Sequence, residues 1–347
     1  MKPFIPYSLL AAFAACGLAS AQTAVTTPVG YITLGDTTVG EPSVKAETDV
    51  FFSLPLQRPT EFTGDVDSVS ALPAATLDIT LESAPTLTSG VPYLLKVNNG
   101  SKEGQVLVVS GVAGAVVTVS AMPGDTLADI VAGSSVSLFK AWTPASLFSG
   151  DNAVPVGTRV FASAGVTPGV DLSLDVIYEF DGTNWVDGFT FDTVDDAILN
   201  HGETLMLRNI DTNPIDSLVL TGEVPVTNSR LVVSKLEDGG DGQDNFVTFS
   251  GAGTEDIGSS GLSAIVAVGD RVFGFDNNAS GFDKSPATIA EWDGANWVDG
   301  FTFDIVDTTF NFNGANGYMI RLGGATDAGD FVWSNEPDYV PGLTPVP

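Results

Sequence analysis

The chain has 347 residues, 43 of them acidic and 13 basic, for a formal net charge of −30, with one histidine and one cysteine. That balance argues against nucleic acid and anionic membrane surfaces as partners, because their phosphates need a basic face. A single histidine rules out a His-rich metal centre, and the lone Cys16 has no second cysteine with which to form an internal disulfide.

The first expected element is a secretory signal over residues 1–21. Lys2 supplies a short positive region, an apolar run follows from Ile5 to Leu18, and Ala19-Ser20-Ala21 forms a small-x-small cleavage site. A lipoprotein signal cut before Cys16 is the rival reading, and Phe13, where Leu is usual, speaks against it. Cleavage after Ala21 removes the only cysteine and leaves 12 basic residues against 43 acidic. The expected location is therefore outside the cytoplasm: periplasmic, extracellular or surface-associated. No later apolar run has the length of a transmembrane helix, and the Pro-rich C-terminal residues carry no visible sorting signal.

Thr, Val, Gly and Ser dominate the rest, and helical periodicity is nearly absent. Runs such as Gln105–Val109, Val116–Val119 and Phe189–Phe191 read as short strands separated by Gly, Asp, Asn and Pro turns. The best helix candidate covers Thr126–Val131. The expected class is all-β.

Residues 157–195 align without a gap to 269–307, an offset of 112, with 22 of 39 positions identical. At the centre of the match, Glu179-Phe180-Asp181-Gly182-Thr183-Asn184-Trp185-Val186-Asp187-Gly188-Phe189-Thr190-Phe191-Asp192 recurs as Glu291-Trp292-Asp293-Gly294-Ala295-Asn296-Trp297-Val298-Asp299-Gly300-Phe301-Thr302-Phe303-Asp304. Asp-Gly followed by Asn suits a hairpin turn, since Gly and Asn tolerate positive φ. A fainter third copy is expected upstream. Tyr93-Leu94-Leu95-Lys96 aligns with Leu205-Met206-Leu207-Arg208 and Tyr318-Met319-Ile320-Arg321, and Asp49-Val50-Phe51 aligns with Arg159-Val160-Phe161 and Arg271-Val272-Phe273. These matches predict three tandem β-rich units, sandwich- or barrel-like, at 22–115 (divergent), 116–226 and 227–347.

Four motifs carry a resemblance. They are Pro28-Val29-Gly30-Tyr31-Ile32-Thr33-Leu34, Leu54-Pro55-Leu56-Gln57-Arg58-Pro59 with Phe62-Thr63-Gly64, Ala141-Trp142-Thr143-Pro144-Ala145-Ser146-Leu147-Phe148, and Gly269-Asp270-Arg271-Val272. With them the chain resembles an uncharacterised family of exported proteins of verrucomicrobia-like bacteria. The resemblance implies export and a surface or extracellular setting, and no activity.

Catalytic constellations are missing. His201 lies in Asn200-His201-Gly202, a turn leading into a strand, with no nucleophile elbow to serve. The repeated carboxylates Asp181, Asp187, Asp192 and Asp195, matched by Asp293, Asp299, Asp304 and Asp307, are candidate Ca²⁺ ligands, or else caps of their own turns. The acidic loop Glu237–Asn245 is a second calcium candidate, and its spacing misses the usual pattern. Trp185 and Trp297, with Asn184 and Asn296, are candidate sugar platforms, or else core residues packed beside Phe189 and Phe191. Four of the six arginines, Arg159, Arg208, Arg271 and Arg321, fall at repeat-equivalent positions, with Lys96 at the second position in the first unit. In so acidic a chain this predicts a structural cation paired to a repeated Asp in each unit.

The expected function is a non-enzymatic, secreted or cell-surface protein with a structural, adhesive or coat role. Its expected partners are extracellular polysaccharide or other copies of itself. The alternatives are a carbohydrate-binding array and a glycan-active enzyme using carboxylates. Calcium is the only cofactor the sequence suggests.

Overall fold

The structure is a computed structural model describing residues 28–70, 75–122, 124–163, 165, 169–235, 242–249, 251–324 and 327–339. The expected signal over 1–21 and residues 237–241 of the acidic loop lie outside the described residues. The protein is all-β, as expected from the strand-like runs and turn residues.

Strands β1 (Val29–Thr33) and β2 (Thr48–Phe52) come first, and β2 is buried along its whole length. A closed six-stranded barrel follows, made of β3 (Thr60–Val69), β4 (Thr76–Leu81), β5 (Tyr93–Val97), β6 (Val106–Ala113), β7 (Val116–Ala121) and β8 (Ser135–Lys140). Its strand order is β3-β4-β7-β6-β5-β8, with every neighbour antiparallel. Alternation drives closure. In β4, Leu77, Ile79 and Leu81 point inward to meet Leu95, Leu107, Val117 and Leu138, while Asp78 faces out. Closing the ring leaves no open edge to recruit another strand.

After the barrel come a short helix α1 (Pro144–Leu147), capped by Thr143 and Ser146, and strands β9 (Arg159–Ala162), β10 (Val176–Phe180), β11 (Trp185–Asp187), β12 (Leu205–Asn209) and β13 (Val219–Glu223). The last part holds β14 (Ser229–Lys235), β15 (Gln243–Asn245), β16 (Thr254–Asp256), β17 (Arg271–Gly274), β18 (Thr288–Trp292), β19 (Trp297–Asp299), β20 (Asn311–Asn313), β21 (Tyr318–Leu322) and β22 (Gly329–Asn335). The expected helix at Thr126–Val131 is instead turn and irregular backbone.

Two sheets of identical plan result, β11-β10-β9-β12-β2 and β19-β18-β17-β21-β15. The β1–β13 ribbon has its counterpart in β14–β22. The repeat is therefore a duplication of one plan, residues 28–58 with 142–224 forming one copy and 228–339 the other. The barrel is inserted in the first copy between β2 and α1. It is not a diverged third copy, and the boundary expected near residue 116 falls at the first residue of barrel strand β7.

Tyr93–Lys96 is barrel strand β5, so Lys96 is not the counterpart of Arg208. Likewise β2 is equivalent to β15, not to β9. Asp49 pairs in register with Arg208, and Asp244 pairs with Arg321. Period-2 patterning makes barrel strands and sheet strands look alike in sequence, which explains the false match. Two of the resemblance motifs meet where the barrel joins the first copy. Trp142 Nε1 donates to the Leu56 carbonyl at 2.8 Å, and the Arg58 guanidinium lies 5.5 Å from the centre of the Trp142 ring.

The copies are joined by reciprocal exchange. Asp49 N donates to Gly281 O and Asp244 N to Gly169 O, and these two glycines are themselves 112 residues apart. Phe51 O accepts from Gly317 N in the second copy, and Phe246 O accepts from Thr204 N in the first. Arg208 forks onto buried Asp49 with two bonds of 2.7 Å and reaches Asp283 of the other copy at 2.6 Å. Arg321 does the same with Asp244 at 2.6 and 2.9 Å and with Asp171 at 2.8 Å. Bidentate, charge-assisted geometry of this kind is the strong form of an ion pair. The arginine partners are thus Asp49, Asp244, Asp171 and Asp283, and the hairpin aspartates take no part.

Replacing Arg208 or Arg321 with Met is expected to cost about 3 kcal/mol, because a fully buried carboxylate loses its counter-charge. Arg159 and Arg271 pair with Glu179 and Glu291 on half-exposed ground, so Arg159→Met and Arg271→Met should cost less than about 1 kcal/mol. Denaturant unfolding of the four variants tests the ordering, and equal effects would contradict the clasp.

Candidate functional site

The duplicated hairpins place the expected site residues in plain view. Trp185 and Trp297 are 2% and 0% exposed, packed against Phe148 and Phe180 in one copy and against Trp292 in the other. Sugar platforms are thereby excluded for both rings. Asn184 and Asn296 remain half-buried at the turns before them. The packing expected with Phe189 and Phe191 is also overturned. Phe189, Phe191, Phe301 and Phe303 are 68%, 70%, 68% and 69% exposed.

The aspartates explain why. Asp181 Oδ1 accepts from the backbone N–H groups of Thr183 and Asn184, and Asp293 Oδ1 from those of Ala295 and Asn296. Asp187 Oδ1 accepts from Phe189 and Thr190, and Asp299 Oδ1 from Phe301 and Thr302, all at 2.8 Å. These bonds hold the four carboxyls below the usual carboxylate range. Asp195 and Asp307 accept from the Trp185 and Trp297 backbone N–H groups. Asp192 and Asp304 sit exposed at the loop ends, where their carbonyls accept from Asp187 N and Asp299 N. Turn capping therefore engages one carboxylate oxygen each of Asp181, Asp187, Asp293 and Asp299, while Asp192 and Asp304 contribute backbone carbonyls. Among the described residues no three His, Cys, Asp or Glu side chains converge as metal ligands would.

The loop after each Trp strand is tightly built. Phe191 N donates to Asp187 O and Phe303 N to Asp299 O, and both phenylalanines adopt φ of 62°. A bulky residue in the left-handed region is strained, and here the same strain occurs twice. Gly188 and Gly300 are required for close approach. A Cβ at either position would lie 2.8 Å from the Ile177 or Ile289 side chain.

A cavity of about 370 Å³ lies where barrel, first copy and second copy meet. The barrel contributes Met122 and Asp125, the first copy Ser163, Asp175 and Asn200–Glu203, and the second copy Arg230–Val232 and Asp244–Val247. Its origin is legible from the duplication. Ser163 stands where the second copy has Phe275, whose ring stacks on Phe51 at 3.8 Å. The residue equivalent to Phe51 is Phe246, which faces the cavity instead of a ring. Gly165 similarly replaces Asn277, which in the second copy bonds both the N–H and the C=O of Phe51.

Inside this space the ionisable groups are perturbed. Burial pushes Glu203 up to about 7, with Asp175 adding repulsion, against bonds from Ser163 N and the Asn200 side chain. His201 is pushed down to about 4 by burial and by the positive Lys96, so it is neutral. Burial likewise pulls Lys96 down to about 8. Asp125 is held by Arg230 through two bonds of 3.2 Å, and Asp244 by Arg321. His201 does occupy a turn, as expected, but it also lines the cavity. No sequence motif marks Glu203. The mismatch between the copies at 163, 165, 175, 201 and 203 was the available signal.

No protein-family model matches the chain, and no curated protein or solved structure shows significant similarity to it.

A carboxyl whose folded value is raised favours the fold while protonated. Stability due to Glu203 is therefore present at pH 4 and is lost as the pH rises from 4.5 to about 7. Glu203→Gln should match the parent at pH 4 and exceed it by roughly 2 kcal/mol at pH 8, allowing for the partial exposure of the carboxyl. His201 contributes a slope of opposite sign between about 4 and 6.5, and both proteins retain it. Thermal unfolding across this range reads the difference, and parallel curves would remove the assignment.

Proposed function

We propose that this protein is an exported, non-catalytic contact protein with an adhesive or coat role, gripping its partner through the two Phe-Thr-Phe loops. One observation carries the reading. Both copies hold two phenylalanines more than two-thirds exposed, on a loop capped by Asp and strained at the second ring. Exposed aromatics are costly to leave in water, and rigid ones lose little entropy on docking, so they make good anchors. Two loops on one body also give bivalent attachment, which raises avidity without a new contact.

The partner is an extracellular polysaccharide or another copy of the chain. A secreted or surface location agrees with the expected signal, the acidic composition and the resemblance to exported proteins. Among the described residues no helix is long and apolar enough to cross a membrane.

The test is the variant carrying Phe189→Ser, Phe191→Asn, Phe301→Ser and Phe303→Asn. Binding to a glycan array identifies a polysaccharide, whereas concentration-dependent sedimentation identifies self-association. Either signal should fall at least tenfold in the variant, and a parent inactive in both assays would overturn the proposal. Because Asn tolerates positive φ, Phe191→Asn alone should stabilise the fold by about 1 kcal/mol in chemical unfolding.

A further inference from the structure

The duplication supplies an internal control for the cavity between barrel and copies. At the equivalent place the second copy's Phe275 ring stacks on Phe51 of the first, and its Asn277 amide bonds the Phe51 backbone. At the positions of Asp175, His201 and Glu203 it carries Ala287, Gly314 and Asn316. The set Asp175, His201 and Glu203 therefore occurs in one copy only, together with the loss of the Phe275 ring and the Asn277 amide. A cavity left by truncation alone would be apolar and would cost stability with nothing in return.

The charge inventory defines what fits. The groups lining the cavity are Asp125 and Arg230, paired with each other, Asp244, paired with Arg321, Asp175, which also has a partner, and His201 and Glu203. Lys96 lies behind His201 and lines a separate cavity of about 10 Å³ with Thr227, whose buried hydroxyl lacks a protein partner. Among the described residues no ion pair reaches Glu203, whose carboxyl has neutral partners, the Ser163 N–H at 2.7 Å and the Asn200 side chain. The neutral imidazole of His201 supplies no positive charge. Leu231, Val232, Phe246 and Val247 give the cavity an apolar lining. The volume is that of a small-ligand site, at a junction of folded bodies where such sites concentrate.

We infer that this cavity binds a small organic ammonium, its charge against Glu203 and its carbon skeleton against Phe246 and the apolar residues of β14. An alcohol of the same shape lacks the charge and binds more weakly. Near neutral pH the incoming cation converts Glu203 from carboxylic acid to carboxylate, and the released proton passes to the buffer. No bond of the ligand is made or broken.

Calorimetry on the full chain with cyclohexylamine, and with cyclohexanol as the neutral analogue, tests this site independently of the Phe loops. The amine should bind at least tenfold more tightly than the alcohol. Its affinity should rise about tenfold from pH 6 to pH 8 as Glu203 ionises, with proton release visible when buffers of different ionisation enthalpy are compared. Glu203→Gln should remove both the pH dependence and the proton release. Ser163→Phe, which restores the residue of the other copy, should abolish binding, and if that variant fails to fold, Glu203→Gln still decides. Failure of the amine to bind at millimolar concentration, equal affinity for amine and alcohol, or a Glu203→Gln variant that behaves like the parent would overturn the inference. So would amine binding that survives in folded Ser163→Phe, since it would mark the acidic exterior as the binder.

Discussion

Two carboxylates buried without any contact with water, Asp49 and Asp244, set the terms for the rest of this molecule. An isolated charge in that position would cost several kcal/mol, so each needs a guanidinium in fixed geometry. Arg208 and Arg321 supply it from the neighbouring strands β12 and β21, and each then extends to an aspartate of the opposite copy. β2 and β15 are thereby pinned at the centre, with one edge in their own sheet and the other against the opposite copy. The two copies form a single interlocked body, unlike beads on a linker. The barrel, by contrast, has a closed ring and a core of its own.

Duplication makes the chain its own comparison. Where the copies agree, down to matching left-handed phenylalanines and matching glycine contacts, the local physics is the same in both. Where they diverge, one copy has stacked rings and the other a cavity that mixes apolar and ionisable residues. Divergence at five positions clustered in space is hard to ascribe to drift on an indifferent surface, because it exchanges packing for hollow, ionisable ground.

Much of the architecture was legible in sequence. Glu179–Asp187 and Glu291–Asp299 read correctly as paired strands about a turn, because Asp-Gly and Asn have few other uses between aromatic strands. The inserted barrel was not legible, since Tyr93–Lys96 has the same alternating pattern as β12 and β21. The equivalence of β2 and β15 rests on Asp-x-Phe at an offset of 195, too little to recognise once the insertion shifts the spacing. Phe189-Thr190-Phe191 read as a strand with inward rings. Its true loop form depends on one carboxylate, Asp187, that takes both amides the next strand residues would have used. Glu203 was invisible because its environment is assembled from three parts of the chain distant in sequence.

The placement of the barrel carries a consequence for how the chain folds. β1 and β2 leave the ribosome first, yet Asp49 waits 159 residues for Arg208, and Phe52 meets its last partner only at Asn316. Between them lie all six barrel strands, complete once Lys140 has emerged, with first and last strands β3 and β8 paired to close the ring. A barrel complete within residues 60–140 thus sits inside an outer body whose pairings span far more of the chain, and closing the barrel brings the ends of that insertion together. The apolar strand β2 stays an open edge for most of synthesis, and the time it spends uncovered is the molecule's main exposure to misassembly.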